Sequence, residues 1–406
     1  MKLRILSTLV GSGVKPQRNP SLTLKKALEN KTVKNIEKEK YRMNQAMQNN
    51  ALPAEKRREG QIELFRIVCM LLILGHHLAW HGVAMRSPNR TNQVLATVLF
   101  AGGMTGVNGF VLITGYFLTP FKARRFFSIL LQTLFYSVGL TLLAHFTGWR
   151  NDVTGETVKN AALVITRSPY WFVVMYLGLT AVLPVLQPAV KNMSRNAHLW
   201  VLILSTVYLS VIPTVTFQNP SSQYFHQFTW FLYLYALGAY FAKFPNKITQ
   251  CAPLQGILFL VMIAFITLSC LWGSDHQELF QRVGSRQNFF ADKNTIPQQL
   301  ASCGLFLFFA NLRVKPYSWL TLLSGASFGV YLIHDHGLIR GQIWGNWAHI
   351  WQACQRDDFW ITALLAPLCI YLVCAAIDLL RKYALEKPLL RLGNPIFQKL
   401  DSWIGR

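Results

Sequence analysis

One apolar stretch, residues 62–82, carries the side chains with the clearest chemistry in the sequence. Arg66 and His77 are eleven residues apart. That is about three helical turns at roughly 3.6 residues per turn, so they project from nearly the same face, roughly 16 Å apart along the axis. His76 lies about a quarter turn away, and His81 returns to the face of His77. A cation near one membrane surface and an imidazole deeper in the membrane suit a long ligand that enters from that surface.

Ionisable residues inside a spanning segment are costly, so they indicate a functional site by default. The alternative interpretation is structural. Arg66 would then anchor the helix at the membrane surface according to the positive-inside rule, and the histidines would be interfacial.

Further polar residues follow in the next apolar stretch and in the loop after it. Residues 102–118 are rich in glycine, which permits either close helix packing or a locally broken helix, and they contain Asn108 and Thr114. Lys122 and Arg125 are one helical turn apart, a spacing that suits a phosphate group, and arginine can bind phosphate through two hydrogen bonds. Anchoring by basic residues at the membrane surface is the alternative for this pair.

Two aromatic residues, Trp171 and Tyr176, stand at the start of the fourth apolar stretch. Aromatic residues at this position are typical of an interfacial belt. The more specific interpretation is a stacking surface for a sugar ring or an acyl carrier.

His334 and Asp335 lie near the end of the ninth apolar stretch, which by span order is on the same side as the end of the first. Either residue could orient or polarise an acceptor hydroxyl. His77 and His81 have the i,i+4 spacing that can chelate a metal, and His334 is a conceivable further ligand. Nothing in the sequence completes such a set, so we predict no metal.

The composition is that of a multi-span helical membrane protein. Of the 406 residues, 14% are charged and 52% are hydrophobic, and the hydrophobic residues occur in long runs. We predict an all-α polytopic membrane protein with about ten transmembrane helices, against the alternative of a soluble helical protein with a large core. The ten apolar segments are 62–82, 93–119, 126–148, 170–188, 197–216, 227–243, 254–273, 297–312, 317–337 and 359–381.

The placement of charge predicts the orientation. The net charge of +23 is concentrated in residues 1–61 and in short loops, which is typical of topology signals and contact with anionic lipid, not of nucleic-acid binding. Nine basic residues fall in the four short loops on the side of the N-terminus, so we predict two cytoplasmic termini in the cell (inner) membrane. The predicted parts are a basic, mostly disordered arm at 1–61, a membrane domain at 62–392 and a short cytoplasmic tail at 393–406. The seven cysteines contain no CxxC pair, so no disulfide framework is expected.

Six partial motifs, in order between residues 60 and 392, resemble the membrane-bound acyltransferase-3 family, in its stand-alone form without a fused hydrolase domain. The motifs are Arg66 and His77 at the family's Arg-x10-His spacing; Phe110 to Tyr116, similar to Phe-Phe-x-x-Ser-Gly-Phe; Lys122 and Arg125, similar to Arg-x-x-Arg; Trp171, Phe172 and Tyr176; Ser327, Tyr331 and His334, similar to Ser-x-x-x-Tyr-Leu-Ile-His; and Glu386, Lys387 and Pro388 after the last span. Thr114 and Lys122 depart from the family's usual serine and arginine, and this concerns only the hydroxyl and phosphate contacts.

The resemblance implies transfer of an acyl group, most simply acetyl, from cytoplasmic acetyl-CoA to a hydroxyl of a cell-surface glycan, an exopolysaccharide or its lipid-linked precursor. His77 would be the general base or a transient acyl acceptor. Arg66 would hold the pantetheine or phosphate end of the donor, and Lys122 and Arg125 its nucleotide phosphates. The supporting residues would be Asn108 and Thr114 at the developing oxyanion, His334 and Asp335 near the acceptor, and Trp171, Tyr176, Tyr331 and Glu386.

The expected partners are therefore an acyl-CoA donor, a glycan or lipid-linked sugar, membrane lipids and the machinery of polysaccharide synthesis, without nucleic acid. Two other classes share buried polar groups on such a scaffold. A transporter or flippase of a lipid-linked sugar would usually show repeat symmetry, which the sequence does not display. A non-catalytic partner of a polysaccharide-synthesis complex would tolerate alanine at His77.

Overall fold

Helices make up the regular structure of this computed structural model, which describes residues 59–150, 152–167, 170–218 and 224–405. The described residues contain no strand, and the predicted all-α class is confirmed. The predicted arm at 1–61 lies outside the described residues except for its last three positions.

Long apolar helices alternate with short connecting ones. In chain order the helices are α1 (Gly60–His81), α2 (Arg90–Tyr116), α3 (Ala123–Phe146), α4 (Gly155–Ala162), α5 (Trp171–Asn192), α6 (Arg195–Thr216), α7 (Tyr224–Lys243), α8 (Ala252–Asp275), α9 (Gln277–Arg282), α10 (Ile296–Ala310), α11 (Ser318–Ser324), α12 (Ser327–His334), α13 (Ile350–Ala353), α14 (Phe359–Leu392) and α15 (Asn394–Ile404). Helices α6 and α14 each contain a π-helical turn, at Val207–Val211 and Lys382–Glu386.

Seven helices of the described ranges are long and apolar enough to cross a bilayer, namely α1, α2, α3, α5, α6, α8 and α14. All ten predicted segments are helical, but the other three differ from a simple span. Helix α7 has 20 residues and α10 has 15, and the ninth segment is divided into α11 and α12 around Gly325. A helix of 15 residues is roughly 22 Å long, shorter than the hydrocarbon core of about 30 Å.

Helices α1 and α2 pack closely through the glycines of α2. A Cβ added at Gly103 would overlap His76, one at Gly106 would overlap the carbonyl oxygen of Cys69, and one at Gly109 would meet Phe65. Because α2 is continuous over 27 residues, these glycines serve close packing and not a helix break. This contact brings the polar residues of α1 into the interior of the bundle.

A buried amide ties three helices together at the centre of α2. Asn108 is fully buried; its Nδ2 donates to the Ser302 hydroxyl on α10 at 3.0 Å and to the Lys293 carbonyl at 2.8 Å. Its Oδ1 accepts from the Trp230 indole on α7 at 3.0 Å. In a hydrocarbon environment such polar groups must be satisfied within the protein, so this residue fixes how α2, α7 and α10 meet.

A second polar network joins α3 to α14. Asp378 accepts hydrogen bonds from Gln132 at 2.8 Å and from Tyr136 at 3.0 Å, and it pairs with Arg381 at 2.9 Å. Arg381 also pairs with Glu386 at 2.5 Å. Breaking a buried ionic network by removing one member leaves an uncompensated charge, so the two helices are held in one register.

The packing of α1 on α2 predicts the effect of a small substitution. Gly106→Ala should destabilise the protein by about 1–3 kcal/mol, because the new methyl group has no room against the Cys69 carbonyl. The matched control is Gly139→Ala on α3, where nothing lies within 4 Å of the added carbon and the helix gains up to ~1 kcal/mol from alanine. Thermal unfolding in detergent should show a lower midpoint for the first variant alone; equal midpoints would contradict this account of the packing.

Candidate active site

A chamber of about 260 Å³ lies among α1, α2, α3, α5 and α12. Its walls are mostly apolar with a few polar side chains, the composition typical of small-molecule sites. The lining residues are Met70, Ile73, His76, His77, Gly103, Met104, Val107, Phe110, Ile129, Gln132, Trp171, Phe172, Tyr176, Phe328, Tyr331 and Asp335.

A pair of histidines joins α1 to α12 beside this chamber. His77 Nδ1 lies 2.8 Å from His334 Nε2, and His334 Nδ1 lies 2.6 Å from the carbonyl oxygen of Val330. A carbonyl can only accept, so His334 Nδ1–H is the donor, and Nε2 of the neutral ring accepts from Nδ1–H of His77. The neutral His77 ring therefore carries its lone pair on Nε2, the nitrogen that can take up a proton.

Three basic groups surround one oxygen of Asp335. Its Oδ1 lies 3.8 Å from His77 Nδ1, 3.6 Å from His81 Nε2 and 3.6 Å from Arg340 Nη1. At these separations the carboxylate acts mainly through its charge, since they exceed ordinary hydrogen-bond lengths. A negative charge at this position would stabilise an imidazolium at His77, as a buried carboxylate does beside a catalytic histidine.

The same cluster offers the donor atoms of a small metal site. One atom each from His77, His81 and Asp335 lie within 4.8 Å of one another. The sequence suggested His77, His81 and His334 as conceivable metal ligands. In the structure both ring nitrogens of His334 make hydrogen bonds, and Asp335 is the third possible ligand instead. Zinc bonds of about 2.0–2.2 Å would require these side chains to move closer together. The absence of a metal stays a prediction.

His76 is held in a different way from His77. Its Nδ1 lies 2.7 Å from the Phe100 carbonyl oxygen, and its ring stacks on Phe100 with centroids 4.4 Å apart. The ion-pair contacts of Asp335 go instead to His77 and His81. His77, and not His76, therefore pairs with His334 and with the carboxylate of Asp335, and its role as the base stays a prediction.

An aromatic wall closes the side of the chamber formed by α5. Trp171, Phe172 and Tyr176 all line it, and Phe172 stacks on Tyr176 with centroids 5.6 Å and planes 12° apart. Tyr331 meets Phe172 edge-on at 5.8 Å. The Tyr176 hydroxyl lies 3.0 Å from the Thr114 hydroxyl. These rings therefore face the chamber, as a stacking surface requires, and that surface stays a prediction.

Asn108 and Thr114 lie in surroundings that differ from those expected for an oxyanion role, which stays a prediction. Both amide atoms of Asn108 are used by the contacts that tie α2 to α7 and α10. Thr114 is eleven residues beyond Gly103, the position that faces His76, and a rise of about 1.5 Å per residue places it roughly 16 Å farther along α2. The periodicity of one helix does not show which residues of other helices will form hydrogen bonds with its polar side chains.

Arg66 stands at the other end of α1 from His77. The residues Arg66, Met70, Ile73 and His77 follow one face of the helix, and the last three line the chamber. The Arg66 guanidinium lies 3.6 Å from the carboxylate of Glu63, and its side chain is 32% exposed. Arg66 is therefore one turn from the chamber and still reachable from outside the bundle.

A second cavity, the basic cavity, lies where α3 begins and has a volume of about 550 Å³. It contains the predicted phosphate contacts Lys122 and Arg125. Glu386 is also there, and it accepts a hydrogen bond of 2.6 Å from Ser128. The full lining is Lys122, Arg124, Arg125, Ser128, Lys382, Glu386, Lys387, Leu390, Asn394, Phe397, Gln398 and Asp401.

Two residues at or beside the chamber were not predicted from the sequence, although their position in apolar segments could have identified them. Gln132 lines the chamber, and Asp378 accepts its hydrogen bond. Both are polar residues inside apolar segments, which is the same signal that identified Arg66 and His77. Arg340, beside Asp335, is in a connecting loop and offered no comparable signal.

Comparison with known proteins identifies the family. A family model of acyltransferase-3 type, described as an acyltransferase domain, matches residues 59–379. No curated protein and no solved structure matches the chain. The matched range contains every residue that lines the chamber, whereas one side of the basic cavity lies beyond it. This membrane protein with its buried histidine site therefore belongs to the acyltransferase-3 family.

Proposed function

We propose that this membrane acyltransferase moves a short acyl group, in the simplest case acetyl, from acetyl-CoA to a hydroxyl of a cell-surface glycan, an exopolysaccharide or its lipid-linked precursor. The observation that carries the proposal is the hydrogen-bond chain from Val330 through His334 to His77, which leaves Nε2 of His77 as the basic atom in a chamber of suitable size.

In the proposed step the acceptor oxygen bonds to the acetyl carbon and the carbon–sulfur bond of the thioester breaks. His77 takes the hydroxyl proton and returns it to the leaving thiolate, so atoms and charge balance. Asp335 stabilises the imidazolium between these two transfers. The same nitrogen can instead carry the acetyl group transiently. The mass of the intact protein after mixing with acetyl-CoA, without acceptor, separates the two routes.

The two cavities both border α3, and their positions suit a long donor. On α1, one helix face runs from Arg66 through Met70 and Ile73 to His77. Helix α3 contributes basic residues to the basic cavity and Gln132 to the chamber. The offset of roughly 16 Å between Arg66 and His77 is compatible with an extended pantetheine arm. In this arrangement Arg66 contacts the pantetheine or phosphate end, and the basic cavity takes the nucleotide.

The loop charges support placing the donor on the cytoplasmic side of the cell membrane, because the basic loops lie at the end of the bundle that contains Arg66. The histidine cluster lies toward the other end of α1, so the acceptor hydroxyl would approach from the outer side. The aromatic wall of Trp171, Phe172 and Tyr176 offers flat surfaces for the acyl carrier or a sugar ring. The family resemblance supports a glycan as the acceptor.

His77→Ala should abolish acyl transfer, because the site loses its base, while the protein remains in the membrane in normal amounts. The readout is the mass of surface glycans from a strain that lacks the gene and carries the variant, with a loss of about one acetyl group per repeat unit. The control is His145→Ala, which removes an exposed histidine at the end of α3. Normal acetylation by the His77 variant would rule out the proposed role and favour a non-catalytic partner.

Arg66→Ala should raise the KM for acetyl-CoA by roughly tenfold or more, since a hydrogen bond to a charged group is worth about 1.5–3 kcal/mol. With acetyl-CoA at cellular concentration, glycan acetylation should then be lost. Steady-state assays of the purified protein in detergent provide the test. A variant that changes kcat alone would contradict a contact with the donor.

His334→Ala should lower kcat by roughly 10²-fold or more, because His77 Nδ1–H loses its acceptor and the ring is no longer held in the productive tautomer. The KM for acetyl-CoA should stay nearly constant, since His334 is fully buried and does not line the chamber. An effect on KM with normal kcat would instead indicate that His334 contacts a substrate. The thermal midpoint of the variant controls for a loss of folding.

A further inference from the structure

We propose that His77, His81 and Asp335 form an inhibitory Zn²⁺ site, in which the ion binds the ring nitrogen of His77 that otherwise donates to His334. The effect of the ion on catalysis rests on the proposed function, whereas its binding does not. The catalytic form stays free of metal, as predicted from the sequence, so the ion is an inhibitor and not a cofactor.

The three donor atoms lie together at the end of α1. Asp335 Oδ1 is 3.6 Å from His81 Nε2 and 3.8 Å from His77 Nδ1, and one donor atom of each residue lies within 4.8 Å of the others. In a tetrahedral site with zinc bonds of 2.0–2.2 Å, ligand atoms are about 3.3–3.6 Å apart. The two histidines are four residues apart on one helix face, a spacing at which side-chain rotation can bring both to one zinc ion. Small movements of the three side chains would therefore complete the set.

The carboxylate provides an independent indication of a cation. Asp335 is 9% exposed, and in the described part of the chain no donor reaches its Oδ1 atom at hydrogen-bond distance. A buried carboxylate oxygen without a hydrogen bond is costly, and a divalent cation would satisfy it. Zinc accepts two histidines and one carboxylate, with water as its fourth ligand. Mg²⁺ prefers oxygen ligands, so this set selects Zn²⁺ against Mg²⁺.

An ion can approach the cluster at the end of α1 that is farther from Arg66. The side chains of His77 and His81 are 14% and 17% exposed, and His81 is in the last turn of α1. The Arg340 guanidinium lies 3.6 Å from Asp335 Oδ1, so it must turn away when a cation binds. Because the Arg340 side chain is 43% exposed, it can make this movement into solvent.

Binding of the ion would remove the proposed base. The neutral His77 ring carries its proton on Nδ1 and donates it to His334. A ring nitrogen that binds a metal carries no proton, so in the zinc-bound ring the proton is on Nε2. Nε2 is the atom that takes up the hydroxyl proton in the proposed step. The zinc-bound form therefore cannot accept that proton, and the hydrogen bond to His334 is lost as well.

The first measurement is Zn²⁺ binding to the full-length protein, purified in detergent without a histidine tag and treated with EDTA, by titration calorimetry. We expect one Zn²⁺ per chain and no binding of Mg²⁺ in its place. His81→Gln and Asp335→Asn preserve side-chain size and should each weaken binding by more than tenfold, since loss of an outer contact to a ligand alone costs about 10–100-fold. The matched control is His145→Ala, which removes an exposed histidine at the end of α3 and should bind Zn²⁺ as the wild type does.

The second measurement is acyl transfer by the same protein preparations. Zn²⁺ should lower kcat over the concentration range in which it binds, and EDTA should restore the rate. Relative to its own rate without Zn²⁺, His81→Gln should need more than tenfold more Zn²⁺ for half-inhibition. The thermal midpoint of each EDTA-treated variant controls for a loss of folding.

A wild type that binds no Zn²⁺, or that binds it as tightly after His81→Gln and Asp335→Asn, would overturn the inference and leave the proposed acyl transfer in place. Zn²⁺ that binds through these residues without lowering kcat would overturn the inhibitory role. Activity that requires Zn²⁺ would make the ion a cofactor and contradict the inference. Zn²⁺ binding that depends on His81 and Asp335, in a protein that transfers no acyl group, would refute the proposed function and leave the metal site standing.

Discussion

A polar group inside a bilayer has no water to bond, so it must find its partner within the protein, and this constraint organises the whole bundle. Three buried clusters satisfy it, centred on His77, Asn108 and Asp378. The first joins α1 to α12, the second joins α2 to α7 and α10, and the third joins α3 to α14. The long helices α1, α2 and α3 around the chamber are thereby each tied to a neighbour by hydrogen bonds whose loss would leave an unsatisfied group in an apolar interior.

The same constraint shapes the chemistry. The carbonyl of Val330 can only accept a hydrogen bond, and this single fact sets the proton positions on His334 and His77 in turn. The backbone of α12 thus determines which nitrogen of a side chain on α1 is basic. Asp335, at the end of the same short helix, adds a charge that would stabilise a protonated His77 ring. The break between α11 and α12 lets one short helix deliver both groups.

The two cavities are linked by helix α3, which contributes to both. Ser128 of the basic cavity and Gln132 of the chamber are one helical turn apart, and both are bonded to residues of α14. The ionic network around Arg381 lies between these two contacts. A donor that spans both cavities would therefore pass along a wall formed by these paired residues.

The sequence by itself determined the class of fold and the alignment of Arg66 and His77 on one face of a helix. Long apolar runs predicted helices, and all ten segments are helical. The spacing of Arg66 and His77 placed both on one face because helical periodicity is a local property. The charged and polar residues within apolar runs identified His77, and they would equally have identified Gln132 and Asp378.

Only the tertiary structure decided what each of these faces meets. It paired His77 with His334, which is 257 positions away in the sequence. It engaged the amide of Asn108 in contacts between helices. Part of the predicted tail, 393–406, forms helix α15, which lines the basic cavity. Periodicity fixes the direction of a side chain around its own helix. It carries no information on which helix lies opposite, because that depends on long-range packing among many apolar surfaces of similar composition.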